Sequence, residues 1–199
     1  MNHYFTNEQL PSNIKEITIK INEKKYKFLT DNGVFSKKGL DFGTRTLIET
    51  LDIGEIKGDV LDFGCGYGPI GIYLRDNTNS NVDMIDINKR SIHLAKENAK
   101  LNKVDVNIFE SNVYSNVSKK YDFIITNPPI RVGKKTLYEI LFGAKKYLKE
   151  NGQLWLVVSK EQGAKSLVKD LEKEYVAEVK NKNKGFYVIK ALNNGRLND

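Results

Sequence analysis

The tripeptide Asn127-Pro128-Pro129 directly follows an apolar segment, "YDFIIT", and its residue types could serve a chemical purpose. Two adjacent prolines remove two backbone donors and fix two φ angles, so the segment ends in a rigid turn. The turn could be no more than the end of a strand. It could also aim the side-chain amide of Asn127 at a ligand. The tripeptide alone does not decide between these two interpretations.

A glycine-rich segment, "VLDFGCGYGPIG", precedes the tripeptide and has a clearer chemical meaning. Asp62 ends an apolar run, and Gly64, Gly66 and Gly68 alternate after it. Glycines let the backbone turn tightly and approach a ligand closely, and the helix predicted to follow adds N–H donors at its first turn. The segment therefore predicts a loop that binds a small molecule.

Asp86 comes about one strand–helix–strand unit after the glycine loop, at the end of the next apolar segment. A carboxylate at that place can accept hydrogen bonds from both hydroxyls of a ribose. The spacing Gly66-x-Gly68-x-x-Gly71 also fits a dinucleotide fingerprint, although that fingerprint is weak evidence alone. The two features predict a nucleoside-type cofactor, either a dinucleotide or S-adenosylmethionine.

Regular elements must position these residues, and from residue 59 onward apolar strand segments alternate with helical ones. The strand segments are "DVLDFG", "VDMIDI", "VNIFES", "YDFIIT", "GQLWLVVS", "VAEVKN" and "GFYVIKAL". Strands that are apolar on both faces and alternate with helices predict an α/β fold with a mostly parallel sheet. The last two strands flank a "KNKG" turn, so one strand of the seven is expected to be antiparallel. Ligands of such sheets bind beyond the carboxyl ends of the strands.

The chain before this core is predicted to form a small extension. Residues 17–29 alternate apolar and polar side chains around "NEKK", which predicts a β-hairpin. A loop rich in Gly, Asp and Ser follows, and then a helix over residues 44–53 with Thr44 as its N-cap. We expect one domain over residues 1–199, with an extension at 1–40 and the core at 41–192.

Composition excludes several classes of protein. The chain has 199 residues, of which 40% are hydrophobic and 29% charged, as in an ordinary globular domain. No run approaches 18 apolar residues, and the start lacks the order of a signal peptide. The single cysteine offers neither a disulfide nor a zinc set. We expect a cytoplasmic protein without a membrane span or a metal.

The net charge of +7 is concentrated after the tripeptide, because residues 131–199 carry 15 basic and 8 acidic side chains. Such an excess could form a basic rim that attracts nucleic-acid phosphates. It could equally reflect lysines that solvate helix faces.

The order of Asp62, the alternating glycines, Asp86 and "TNPPI" resembles class I S-adenosylmethionine-dependent methyltransferases. Together with "GVFSKKGLDFGTRTLIETL" and "GQLWLVVSKEQGA", it is similar to the small methyltransferase domain of bacterial small-subunit ribosomal RNA guanine-N2 methyltransferases, in a single-domain form. The resemblance covers nearly all of residues 30–190. It implies a Rossmann-like class I fold, S-adenosylmethionine as cofactor, S-adenosylhomocysteine as product, and no metal.

The resemblance also implies the cofactor-binding residues. The glycine loop would hold the methionine part, Asp86 the ribose, and Ile87 would lie beside the adenine. Asn112 stands where the family usually has an aspartate, and its amide oxygen can still accept a hydrogen bond from the adenine amino group. The full implied set is Asp41, Thr44, Asp62, Gly64, Gly66, Gly68, Asp86, Ile87, Asn112, Val113 and Asn127.

The tripeptide marks enzymes of this class that methylate a planar nitrogen. The side-chain oxygen of Asn127 and the carbonyl of Pro128 can each accept one N–H, while Pro129 keeps the turn rigid. Two fixed acceptors orient the nitrogen lone pair, so catalysis needs positioning rather than a strong base. The implied substrate contacts are Phe35, Ile130, Arg131, Lys134 and Lys135.

Ile130 stands where many such motifs have a tyrosine or phenylalanine that stacks on the target base. A flipped base needs some stacking partner. Phe35, Tyr4, Phe5 and Phe186 are the candidates for that ring.

The leading hypothesis is methyl transfer to the exocyclic N2 of a guanine in 16S ribosomal RNA. The partner would be ribosomal RNA or the small ribosomal subunit, and we expect a monomer with no membrane partner. The same chemistry on adenine N6 or on a protein glutamine N5 is the alternative. A domain that binds RNA without catalysis, or a dehydrogenase that uses NAD, would be the remaining possibilities.

Overall fold

The hairpin segment and the alternating apolar segments form two separate sheets. The computed structural model describes residues 10–129 and 131–195. Strands β1 (Lys15–Ile21) and β2 (Lys24–Thr30) pair antiparallel, with Ile19 opposite Tyr26. Their apolar side chains alternate with exposed polar ones, so one face of the hairpin is buried. The predicted N-terminal β-hairpin is confirmed.

Seven strands form the central sheet. They are β3 Asp59–Phe63, β4 Asn81–Asp86, β5 Asn107–Glu110, β6 Tyr121–Thr126, β7 Leu148–Ser159, β8 Val176–Asn183 and β9 Phe186–Leu192. Their spatial order is β5-β4-β3-β6-β7-β9-β8. The pairs from β5 to β7 are parallel, and β9 runs antiparallel to both β7 and β8. The predicted seven-stranded, mostly parallel sheet with one antiparallel strand is confirmed.

The described residues contain five α-helices. They are α1 Phe42–Thr50, α2 Pro69–Asn77, α3 Lys89–Leu101, α4 Gly133–Gly143 and α5 Ala164–Leu171. The predicted N-cap of α1 is wrong, because the helix begins earlier and Asp41 caps it. Its carboxylate oxygen Oδ2 accepts a hydrogen bond from the backbone N–H of Thr44, 3.0 Å away. An extended residue with a short acidic side chain satisfies a free donor of the first turn in this way.

The core has two clusters, one on each face of the central sheet. Val60 belongs to the cluster that contains the hairpin, α1, α2 and α3, while the adjacent Leu61 belongs to the cluster with α4 and α5. In the same way Phe123 and Ile124 of β6 point to opposite clusters. This alternation is the period of two expected for strands that are covered on both faces.

Asn98 on α3 attaches the hairpin to the rest of the molecule. Its side-chain Nδ2 donates to the carbonyls of Leu29, 3.0 Å away, and Tyr67, 2.8 Å away. Its Oδ1 accepts from the backbone N–H of Leu29 at 2.6 Å. The side chain is fully buried, so these bonds join β2, α3 and the loop after β3 without competition from water.

The carboxyl ends of β3, β4 and β6 meet at one edge of the sheet. Phe63, at the end of β3, is in register with Ile85 on β4 and Thr126 on β6. The Thr126 hydroxyl donates to the carbonyl of Phe63 over 2.9 Å and holds two of these ends together. The chain order reverses at β3, which is where α/β sheets open a crevice for ligands. Within the two described ranges, no helix is long and apolar enough to cross a membrane.

Candidate active site

A cavity of about 880 Å³ lies at this edge of the sheet. Its wall consists of the loops that follow β3, β4, β5 and β6, the segment before α1, and residues near the starts of α1, α2 and α3 and on α4. Of the residues predicted from the sequence, the wall contains Phe35, Asp41, Thr44, Gly64, Gly66, Asp86, Ile87, Asn112, Val113, Asn127, Pro128, Pro129 and Arg131. The size is within the range of sites that enclose a small organic molecule.

Five predicted residues lie outside the wall, and three predicted residues are not described. One of the five is Phe186, the first residue of β9, whose ring centroid lies 5.6 Å from that of Phe42. Asp62 and Gly68 lie behind the glycine loop, and Lys134 and Lys135 lie in the first turn of α4. The Lys134 ammonium is 5.2 Å from the ring centroid of Tyr138, which is also on α4. Ile130, Tyr4 and Phe5 lie outside the described residues.

Gly64 and Gly66 present bare backbone to open space. Their φ angles are 70° and 57°, and a Cβ built on either residue meets no atom within 4 Å. Positive φ is a conformation that residues with side chains rarely adopt. Since both residues line the cavity, a ligand can approach the main chain directly at this point.

Gly68 turns toward the protein interior. Its φ is 105°, and a Cβ there would lie 3.0 Å from Ile72 Cδ1 and 3.0 Å from Met84 Cε. It precedes Pro69, the first residue of α2, and therefore allows the chain to turn into the helix while packing closely on β4. Its role in the described structure is packing rather than lining the cavity.

Asp62 is fully buried and supports α2 from beneath. Its Oδ2 accepts the backbone N–H of Gly71 over 2.9 Å, which satisfies a donor in the first turn of the helix. Its Oδ1 is buried with no hydrogen-bond partner in the described chain. Burial, assisted by the nearby charge of Asp86, raises the pKa of Asp62 to about 7.

Asp86 holds a fixed position on the cavity wall. Its Oδ2 accepts the backbone N–H of Gly66 and its Oδ1 accepts that of Asn88, both over 2.9 Å. Burial raises the pKa of this carboxyl group, and the hydrogen bonds oppose the shift. Each carboxylate oxygen can accept more than one hydrogen bond, so acceptor capacity remains for a ligand with paired hydroxyls.

The loop after β5 adds a strained residue to the wall. Val113 has φ 52°, which is costly for a β-branched side chain. The Ser111 hydroxyl donates to the Val113 carbonyl over 2.8 Å, and Asn112 donates its N–H to Ser115 Oγ over 3.1 Å. These two hydrogen bonds fix the conformation of the loop, in which Asn112 is exposed.

Asn127 reaches the cavity from the end of β6, and its amide is anchored by the N-cap and the first turn of α1. Its Nδ2 donates to Asp41 Oδ2 and to Thr44 Oγ1, each over 2.9 Å. Its Oδ1 takes no hydrogen bond from the described residues. A fixed amide with one unoccupied acceptor oxygen can receive an N–H from a ligand.

Several residues of the wall were not singled out from the sequence. Thr136, Glu139 and Ile140 share one face of α4. Glu139 and Ile140 follow Thr136 by three and four positions, and this helical spacing is the signal that could have identified them. Tyr67 also lines the cavity from within the glycine loop, next to the single cysteine, Cys65. Burial raises the pKa of the Cys65 thiol, which disfavours the thiolate that a nucleophile requires.

These residues fit a nucleoside-type ligand. The open positions at Gly64 and Gly66 accept a group pressed against the backbone, and Asp86 offers acceptors for hydroxyls beside them. The described part of the chain contains no group of three or more side chains that could hold a metal ion.

The chain is similar to a known protein family and to several bacterial proteins. A family model described as "Methyltransferase small domain" matches residues 25–190. The "Uncharacterized protein YbxB" of Bacillus subtilis (strain 168) is 42% identical over 195 residues, which cover 95% of this chain and 97% of that protein. The "Ribosomal RNA small subunit methyltransferase C" of Aliivibrio fischeri is 41% identical over 132 residues, 64% of this chain.

The matched region is only part of the relatives with that second name. It spans 38% of the Aliivibrio fischeri protein and 44% of the protein of the same name from Aliivibrio salmonicida. This chain therefore corresponds to less than half of those proteins.

A solved structure has the same fold. The 16S rRNA N2 methyltransferase RsmC of T. Thermophilus, in complex with AdoMet and guanosine, superposes with a TM-score of 0.82 at 24% identity. The match covers 92% of this chain and 51% of that one. This likeness confirms the predicted Rossmann-like class I methyltransferase fold.

Proposed function

This chain belongs to the methyltransferase small domain family, and we propose that it methylates the exocyclic N2 of a guanine in 16S ribosomal RNA. The observation that carries the proposal is the state of Asn127. Both of its amide hydrogens are engaged, and its side-chain oxygen is left as an acceptor in the cavity that also contains Asp86.

The methyl donor in this proposal is S-adenosylmethionine, which supplies an electrophilic methyl group and leaves as S-adenosylhomocysteine. Asp86 would hold the ribose hydroxyls, and Gly64 and Gly66 would contact the donor through their backbone. Ile87, Asn112 and Val113 line the same wall and would surround the adenine. Asp62 supports this donor-binding site indirectly, because it fixes the start of α2.

The residues of the tripeptide would orient the acceptor nitrogen. Oδ1 of Asn127 and the carbonyl of Pro128 would each accept one N–H of the amine, so that its lone pair points along the line of transfer. As the new N–C bond forms and the S–CH₃ bond breaks, the nitrogen becomes positively charged and its N–H becomes acidic. These two acceptors stabilise that charge until the proton leaves to solvent.

Phe35 is our candidate for the ring that covers the target base. It lines the cavity and is 57% exposed, so its ring is accessible to a ligand. Aromatic stacking is how proteins hold an unpaired base. Arg131 lies exposed on the same wall and could contact a flanking phosphate.

We further propose ribosomal RNA or the small ribosomal subunit as the partner, and the cytoplasm as the place of action. The basic residues of 131–199 support this partner, as do the relatives named ribosomal RNA small subunit methyltransferase C. We also propose that residues 1–199 act as one methyltransferase domain, with residues 41–192 as its catalytic core.

The proposal is tested with small ribosomal subunits from a strain that lacks this protein. After incubation with the purified protein and methyl-labelled donor, nucleoside digestion and mass spectrometry should find the label in N2-methylguanosine. Label in N6-methyladenosine, or in a glutamine of a release factor and not in RNA, would contradict the guanine acceptor. Binding of RNA with no label in any acceptor would indicate a non-catalytic domain.

A further inference from the structure

Two side chains at the start of α1 contact the side-chain amide of Asn127. Asp41 and Thr44 each accept one hydrogen bond from its Nδ2. An amide nitrogen carries two hydrogens, so these two contacts use both of them. The contacts are long-range in sequence, since Asp41 lies 86 positions before Asn127.

Asp41 fixes the polarity of this arrangement. An ionised carboxylate accepts hydrogen bonds and donates none, so it can face the nitrogen of Asn127 but not its oxygen. The Thr44 hydroxyl could by itself serve either atom. That hydroxyl lies 3.3 Å from Oδ2 of Asp41, to which it donates, and its lone pairs are thereby left for Asn127.

We propose that Asp41 is a positioning residue that orients the Asn127 amide so that Oδ1 faces the nitrogen that receives the methyl group. Asp41 acts directly and also through the Thr44 hydroxyl, which donates to Asp41 and accepts from Asn127. A reversed amide would present N–H to the N–H of the substrate and could not bind it. Because the orientation is set before the substrate arrives, no reorganisation is needed during reaction. This role differs from the cofactor contact that the resemblance implied for both residues. The identity of the acceptor rests on the proposed function, whereas the orientation of the amide does not.

Asp41→Asn is the sharpest variant. Asparagine is as good an N-cap as aspartate, so α1 should still form, but its amide can offer either an oxygen or an N–H to Asn127. We expect kcat to fall by about 10- to 100-fold, as for the loss of a hydrogen bond to a charged group, with the cofactor Kd within about twofold of wild type.

The matched control is Asp52→Asn, which makes the same chemical change at the N-cap of a single 3₁₀ turn, Ile53–Glu55, away from the cavity. Its kcat should stay within about twofold of wild type. If Asp41→Asn keeps its kcat, or loses activity only through a weaker cofactor Kd, the positioning role is wrong and Asp41 is a cofactor contact instead.

Two variants of Thr44 distinguish the effect of its hydroxyl group from the effect of its shape. Thr44→Val keeps the branched shape and removes the acceptor, so kcat should fall by about 3- to 10-fold, as for a neutral hydrogen bond. Thr44→Ser retains the hydroxyl and should recover most of that loss. An equal loss of kcat in both variants would point to packing and would contradict the proposed role of the Thr44 hydroxyl.

A measurement on the free protein tests the inference without any substrate. In NMR spectra the two side-chain amide protons of Asn127 should exchange with solvent more slowly than those of the exposed Asn107, and the difference should shrink in Asp41→Asn. Equal exchange at both residues in wild type would overturn the inference. Slow exchange together with methylation of a different acceptor would sustain the inference and refute the guanine proposal.

Discussion

The backbone N–H of Gly66 donates to Oδ2 of Asp86 over 2.9 Å and so joins the loop after β3 to the end of β4. The hydrogen bond ties the bare backbone of the glycine loop to the carboxylate beside it. The protein itself therefore fixes the spacing between the two elements that would hold the methyl donor. A small flexible ligand that binds such a site loses less of its affinity to ordering of the protein.

Replacing Asp86 should weaken donor binding more than it changes folding. Asp86→Ala removes the proposed acceptors for the ribose hydroxyls, and calorimetric titration should show the Kd for S-adenosylhomocysteine rising by about 10- to 100-fold, the cost of a hydrogen bond to a charged group. Asp105→Ala, at an exposed position, is the control and should leave the Kd within about twofold. An unchanged Kd in Asp86→Ala would show that this carboxylate does not bind the methyl donor.

Asn98 should contribute strongly to stability although it lies outside the cavity. Asn98→Ala leaves the carbonyl of Tyr67 buried without this partner, and it removes the same partner from the part-buried carbonyl and N–H of Leu29. Urea unfolding should show a loss of about 2–4 kcal/mol in the free energy of unfolding, because one buried group and two part-buried groups lose a hydrogen bond. Asn102→Ala, one turn later and partly exposed, should cost about 1 kcal/mol or less. Equal losses in the two variants would contradict the proposed importance of burial.

Asp62 should make stability depend on pH. Its pKa in the folded protein is raised from an ordinary value of 3.8 to about 7, so the folded state binds this proton more tightly than the unfolded state. Its contribution to stability is therefore lost as pH rises from about 4 to about 7, by up to something on the order of 4 kcal/mol. Asp62→Asn cannot ionise. Urea unfolding at pH 5 and pH 8 should show a larger decrease in the free energy of unfolding for wild type than for the variant.

If the free energy of unfolding decreases equally in wild type and Asp62→Asn between pH 5 and pH 8, the raised pKa of Asp62 is contradicted. Asp86 also has a raised pKa, but it is present in both proteins and its effect largely cancels in the comparison.

Strand alternation made the sheet predictable, whereas long-range side-chain contacts were beyond the sequence. The apolar pattern around Val60 and Leu61 reflects burial on both faces, which is a local property. The contact of Asp41 with Asn127 joins distant parts of the chain and has no local signature. The burial of Asp62 was equally invisible, because the order Asp-x-Gly does not state which side of the loop the carboxylate occupies.

Phe35 should affect RNA binding more than donor binding. Phe35→Ala removes the exposed ring and should raise the KM for the small ribosomal subunit by about 5- to 50-fold, as for the loss of one stacked base. Phe35→Tyr keeps a ring and should recover most of the affinity. Leu101→Ala removes another exposed apolar side chain, 40% accessible and away from the cavity, and should change KM by less than about twofold. If Phe35→Ala behaves like Leu101→Ala, another ring covers the base.

The most direct test of the proposed chemistry is methyl transfer by Asn127→Ala, measured on small ribosomal subunits beside the Kd for S-adenosylmethionine. Removing the acceptor oxygen should lower kcat by about 100-fold or more, as for the loss of one preorganised group at the site of developing charge, while the Kd stays within about twofold of wild type. Turnover within about threefold of wild type would show that Asn127 does not orient the acceptor nitrogen.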